Sequence, residues 1–237
     1  MKILALESSA TACSVALWEG ERILARSDQC SGLTHSCTLL PMVNALLDHC
    51  GETLEQVDVI AVAVGPGSFT GLRIGVSTAK GLAWPGDKDC APCSTLESMA
   101  WPLAHLEGCL IVCAMDARRN QVYNALFLAE GEMVHRLVPD RALTLEELVQ
   151  ELSCEKKPKI IVGDGALLCY NALQKAGIPA RLAPVHLRLQ SAVGVAKTAL
   201  RLAEADQLVK GGKLIPVYLR QSQAERERLE RETKEKG

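Results

Sequence analysis

Residues 3–6 form an uninterrupted apolar run closed by Glu7-Ser8-Ser9, which reads as a first strand and its turn. Residues 13–18 and 22–27 follow as a second and a third strand. Over 33–50 the period lengthens: Leu39, Leu40, Val43, Leu46 and Leu47 share one face of a helix. Residues 57–64 are almost wholly apolar, the pattern of a strand covered on both sides in a parallel sheet. A second helix is expected over 71–84 and a short strand around 91–94. The order then restarts. Strands are expected at 110–115, ending at Asp116, and at 121–128 and 133–137. A helix follows over 143–152, with Thr144 and Glu147 as a capping box. A strand at 160–162 runs into Gly163-Asp164-Gly165, and helices are expected over 166–176 and 191–205.

The elements therefore read βββαβα twice, with negligible sequence identity between the halves. This predicts an α/β protein with the two-lobed actin-like ATPase fold (ASKHA, ribonuclease-H-like), built by duplication. The boundaries are drawn at 1–106 for the N-terminal lobe, 107–215 for the C-terminal lobe and 216–237 for a charged tail, read as a solvated helix or frayed end.

A chain of 237 residues with 48% hydrophobic positions can fill such a core. Aromatics make up only 3%, so the core is aliphatic, and wide stacking surfaces for bases or sugars are not expected. The net charge of −2 provides no global field for nucleic acid, so any contact with RNA needs a local patch or a partner. The start of the chain lacks the long apolar core of a signal peptide, and no run reaches the ~20 residues of a membrane span. A cytoplasmic protein is expected. The ten cysteines are scattered, mostly in apolar runs, and read as reduced core residues. Cys90-Ala-Pro-Cys93 has redox spacing but precedes its helix at the wrong distance, and no second pair completes a zinc set.

The most distinctive stretch is AVAVGPGSFTGLRIGV, residues 61–76. A Walker loop would need Gly-Lys-Ser/Thr after four intervening residues, and no Lys is there. The dinucleotide fingerprint fails as well, since Gly65 and Gly67 are followed by Gly71 one position late. Gly71, Gly75, Ala79 and Ala83 instead recur every fourth residue and form a stripe of small side chains. The stripe is expected to face a partner helix, so that a bulky residue at Gly75 abolishes pairing and leaves the fold intact. Gly65, Pro66 and Gly67 form the turn into the helix, capped by Ser68 or Thr70.

In the two-lobed fold each first strand ends near an interlobe cleft, and here those positions hold Glu7 and Asp116. Two carboxylates facing across a cleft could hold magnesium through water, which makes an ATP-dependent enzyme of the sugar-kinase type the alternative reading. The turns after the two acids, Ser8-Ser9-Ala10 and Ala117-Arg118-Arg119, lack the glycines that let backbone N–H groups reach phosphate. Glu7, Ser8, Asp116, Arg118, Gly163 and Gly165 are thus read as a vestigial nucleotide cleft. No Gly-x-Ser-x-Gly elbow occurs, and His35 and His49 read as surface or interface residues of the first helix.

Six blocks, ILALESSATACSVAL, THSCTLLPMV, VGPGSFTGLRIGVSTAKGLA, STLESMA, MDARRNQVYNA and IPVYLR, resemble the bacterial TsaB (YeaZ) family in content and in order. The resemblance implies a noncatalytic subunit of the machinery that forms N6-threonylcarbamoyladenosine on tRNAs reading codons that begin with A. It implies pairing with the catalytic subunit TsaD, joined by the ATPase TsaE, and a homodimer in their absence. It implies contact with tRNA only through the complex, no cofactor and no membrane. TsaD-like proteins carry a His-x-x-x-His metal motif where this chain has Thr95 and Met99, so no metal site is expected. Glu7 departs from the family's more usual Asp. The resemblance places the partner on the first two long helices, at His35, Leu39, Leu40, Val43, Leu46, Leu47, Gly71, Leu72, Gly75, Thr78, Ala79 and Leu82.

Overall fold

The computed structural model describes residues 1–220, so most of the charged tail lies outside the described residues. Strands β1 (Lys2–Glu7), β2 (Cys13–Glu19) and β3 (Arg22–Gln29) form a meander, followed by helix α1 (His35–Cys50). Strand β4 (Val59–Gly65) leads to α2 (Phe69–Ala83), then β5 (Asp89–Ser94) and the short α3 (Thr95–Ala100). The second half repeats the order with β6 (Leu110–Asp116), β7 (Gln121–Glu130), β8 (Met133–Thr144), α4 (Leu145–Ser153), β9 (Lys159–Val162), α5 (Ala166–Lys175), β10 (Arg181–Leu182) and α6 (Val185–Arg188). Helix α7 (Ala192–Glu204) and strand β11 (Val209–Lys210) close the series.

The duplication is visible in the sheets. The first runs β11-β5-β4-β1-β2-β3 and the second β10-β9-β6-β7-β8, so five strands of each share one order. In both, the meander is antiparallel and the next two strands add in parallel, while β11 adds antiparallel at the edge of the first sheet. Alternation along β1 sends Leu4 and Leu6 to the face covered by α1 and α2, and Ile3 and Ala5 to the face covered by α7. β4, covered on both faces, is buried along its whole length, as its apolar run predicts. In the second sheet Val112 and Ala114 face α4 and α5, while Ile111 and Cys113 face α3.

The lobe boundary differs from the sequence expectation. β11 pairs with β5, and α7 lies on the first sheet, so residues 192–210 belong by packing to the N-terminal lobe rather than to a C-terminal lobe ending at 215. The first sheet has an uncovered apolar face at Ile3, Ala5, Ala16 and Ala61, and α7 supplies the layer that buries it. The crossing is tight: a Cβ at Gly194 would overlap the Ser98 carbonyl on α3. Two smaller differences concern ends. α2 starts at Phe69, two residues early, because Ser68 is its cap and accepts from the Gly71 N–H at 3.4 Å. β8 continues to Thr144 through Pro139, with register shifts against β7 that absorb the proline. The Thr144–Glu147 capping box forms as expected.

Candidate functional site

The glycines of residues 65–75 serve packing within the chain. Gly65 has φ 142°, and a Cβ there would overlap the Val217 carbonyl oxygen. Gly67 lies against the Ser9 carbonyl and Gly71 against that of Ser8. The Ser8 hydroxyl donates to the Gly71 carbonyl at 2.9 Å, and the Ser68 N–H to the Ser9 carbonyl at 2.7 Å. A Cβ at Gly75 would stand 3.3 Å from Cγ2 of Val62 and against the Ser8 hydroxyl. The small stripe therefore faces the first sheet and the turn after β1, not a partner. A bulky residue at Gly75 would disturb the fold itself, contrary to the sequence expectation.

Burial sorts the expected partner residues. Leu39, Val43, Leu46, Leu47, Gly71, Leu72, Gly75 and Ala79 are buried in the lobe and cannot form a docking face. His35 is half-buried, and its Nε2 is bonded to the Ala10 carbonyl at 2.6 Å, which ties the start of α1 to the turn after β1. Leu40, Thr78 and Leu82 keep surface. Beside them on the outer faces of α1 and α2 stand Asn44, Ala45, Ser77, Gly81 and the half-buried Ile74, and Trp84 follows directly after α2, none of which the sequence reading named. Leu40 is 46% exposed and Trp84 85%, large apolar surfaces for a folded chain. The signal was in the sequence: Thr70, Arg73, Ser77 and Lys80 recur as the polar face of α2 and mark its outside.

Between the lobes lies a cleft of about 350 Å³, lined by the turns after β1 and β6, the start of α2, Asp164 and Arg220. Glu7 has no exposed surface. Its Oε1 accepts from the Ser9 N–H at 2.6 Å, and among the described residues its Oε2 has no hydrogen-bond partner. Burial, aided by the charge of Asp164, pushes its carboxyl up to about 7. Asp116 is exposed and accepts from the Arg118 N–H at 2.7 Å. Burial also raises Asp164, whose Oδ1 accepts from Gln190 at 2.9 Å. Gly163 and Gly165 abut the backbone at the end of β6, so they close the joint between β6 and β9 instead of meeting an adenosine. Of the six expected cleft residues only Asp116 and Arg118 line the cleft. These residues do not fit magnesium nucleotide: the two acids do not face one another across open space, and neither turn presents a glycine.

The last described segment, 214–220, straps the lobes together. Leu214 is buried in the first core, and the Val217 N–H donates to the Val64 carbonyl at 2.7 Å. Tyr218 stacks on Phe69 with ring centroids 4.3 Å apart and accepts from Nε of Arg73 at 3.0 Å. Leu219 packs on the second core and Arg220 donates to the Ala117 carbonyl. A second link is a buried carboxylate. Glu97 on α3 accepts from Nε of Arg201 on α7 at 2.6 Å and from Arg136 on β8 at 3.1 Å. Thr95 and Met99 on the same helix are buried, and they offer only a hydroxyl and a thioether. Cys90 and Cys93 alternate across β5 into different cores; burial pushes Cys90 up to about 11 and Cys93 well above its usual value, so they do not act as a dithiol. Among the ten cysteines Cys30, Cys37 and Cys154 are exposed, which corrects the expectation of an all-core set. Among the described residues no helix is long and apolar enough to cross a membrane.

Comparison with known proteins agrees with this architecture. Residues 30–228 match the family described as "TsaD: tRNA N6-adenosine threonylcarbamoyltransferase". The tRNA threonylcarbamoyladenosine biosynthesis protein TsaB of Bacillus subtilis is 35% identical over 163 residues, 69% of this chain and 71% of that protein. TsaB of Escherichia coli is 30% identical over 226 residues, 94% of this chain and 96% of its own. The solved structure of YeaZ from Pseudomonas aeruginosa superposes with a TM-score of 0.79 at 27% identity, over 92% of this chain and 99% of that one. A ROK hexokinase from Thermus thermophilus, at 13% identity and a TM-score of 0.51 over 86% of this chain and 100% of its own, shares the fold alone. With the duplicated sheets and the extent of these matches, the chain belongs to the TsaB family of tRNA threonylcarbamoyladenosine biosynthesis proteins.

Proposed function

We propose that this chain is a noncatalytic subunit required for forming the threonylcarbamoyl group on adenosine 37 of tRNAs that read codons beginning with A. It acts by binding and supporting a TsaD-type catalytic subunit, together with the ATPase TsaE. The observation that carries this reading is exposed apolar surface at Leu40 on α1 and at Trp84 directly after α2, with half-buried Leu82 between them in the chain, on a protein whose Glu7 is sealed off from its own cleft. A two-helix face of this kind fits a related two-helix face on a paralogue, and equally its own copy about a twofold axis. The homodimer and the complex with the catalytic subunit then use one surface and exclude each other.

Leu40→Asp with Thr78→Arg tests the face. Both positions keep surface on the outside of their helices, so the fold should persist. Pairing in size-exclusion chromatography should be lost and modification of tRNA in a reconstituted assay should fall with it. Normal pairing by the double variant would rule the face out as the docking surface.

A further inference from the structure

The turn after β6 holds a run of left-handed backbone. Arg118, Arg119 and Asn120 have φ of 65°, 55° and 59°, three successive non-glycine residues in the left-handed region, an arrangement that persists only where surrounding bonds hold it. Here Asp116 accepts from the Arg118 N–H, the Ala117 N–H donates to the Gln121 carbonyl, the Gln121 N–H to the Arg118 carbonyl and the Leu145 N–H to the Asn120 carbonyl. The strain presents two arginines outward. Both are exposed, and among the described residues neither guanidinium has a hydrogen bond or an ion pair.

The strap brings further cations to the same lip. Arg220 is bonded to Ala117, next to Arg118 in the chain, and both line the cleft mouth with Phe69. Tyr218, stacked on Phe69, holds Arg73 beside it, and its hydroxyl accepts from Arg73 and so keeps its own proton to donate. A chain of net charge −2 thus puts Arg118 and Arg220 on the cleft lining, with Arg119 next to Arg118 in the chain and Arg73 bonded to the neighbouring Tyr218. The cleft beneath also holds Asp116 and Asp164, which repel a small free anion entering it. An extended phosphodiester laid along the lip meets the exposed Arg118 and Arg119 guanidiniums without entering.

We propose that this arginine lip is an RNA-backbone contact, with Arg118 and Arg119 each facing a phosphate. The proposal rests on the reading that the chain works within a tRNA-modifying assembly, and it adds a direct contact where that reading places RNA on the complex alone. Contacts of this kind position RNA and do not read its sequence.

The test uses Arg118→Gln with Arg119→Gln, and Arg118→Lys with Arg119→Lys as the charge-keeping control, in the assembly with the catalytic subunit. Size-exclusion chromatography reports assembly, and fluorescence anisotropy with an unmodified tRNA transcript reports binding between 50 and 200 mM salt. Removing two phosphate contacts should lower the slope of log affinity against log salt by about 1.4 to 1.8. Affinity should fall about tenfold or more, the equivalent of one charged hydrogen bond, and the lysine pair should restore most of it. Intact assembly with unchanged RNA affinity or unchanged salt slope overturns the lip and leaves the proposed function standing. If the wild-type chain does not assemble with the catalytic subunit, the proposed function fails. The titration is then repeated with the chain alone, where absence of salt-dependent binding overturns the lip as well.

Discussion

Replacing Gly71 by alanine adds one carbon to the first turn of α2, and the inward packing of that helix fixes the sign of the result. The new Cβ would overlap the Ser8 carbonyl oxygen, which is backbone and cannot swing aside. Overpacking at such a site costs about 1–3 kcal/mol. Displacing the helix also strains the bond from the Ser8 hydroxyl to the Gly71 carbonyl, worth about 1 kcal/mol. Alanine's better helix propensity offsets about 1 kcal/mol. The net loss is about 1–3 kcal/mol, a fall in Tm of roughly 3–10 °C for a domain of this size. Gly81 lies in the same helix, and a methyl group there would meet open space with nothing within 4 Å, so Gly81→Ala should gain about 0.5–1 kcal/mol. Urea unfolding of the two variants beside the wild type gives both signs in one experiment. A Gly71→Ala midpoint raised to that of Gly81→Ala would refute the inward stripe.

Glu7 should make stability depend on pH. Its folded-state value, about 7, lies above the usual 4.5, so the folded chain binds more protons between those limits and stability falls as pH rises through them, by about 3 kcal/mol in all. Glu7→Gln should flatten that slope in unfolding experiments from pH 5 to 8, and an unchanged slope would assign it to other groups. Glu97→Ala leaves Arg136 and Arg201 without their shared carboxylate. Because both arginines are about one-third exposed, water screens part of the loss, and about 2 kcal/mol is expected by urea unfolding. A change under about 0.5 kcal/mol would show that the clamp between the lobes is fully screened.

Much of the fold was legible because period and run length answer the question a strand or helix poses locally. The apolar run of β4 and the twice-repeated order required no tertiary knowledge. What a helix packs against is not local. The Gly71–Ala83 stripe identified a face correctly, but periodicity alone does not say whether a sheet or a partner lies on it; the polar residues Thr70, Arg73, Ser77 and Lys80 opposite carried that answer. The same limit explains α7, whose sequence position places it after the second lobe although the uncovered face it fills belongs to the first. Glu7 and Asp116 occupy equivalent positions in the two halves, yet one is sealed and the other exposed, a difference that tertiary packing makes and periodicity does not show. The left-handed Arg118–Asn120 turn has only a weak sequence signature, Asn120, because its two arginines are residues that seldom adopt that region.

The role of a required but noncatalytic subunit is decided by threonylcarbamoylation of a tRNA transcript by the purified catalytic subunit and ATPase, with this chain present, absent or replaced by Leu40→Asp/Thr78→Arg. Modification is expected only with the wild-type chain, and none from the chain by itself. Full modification without the chain, or with the double variant, would contradict that role.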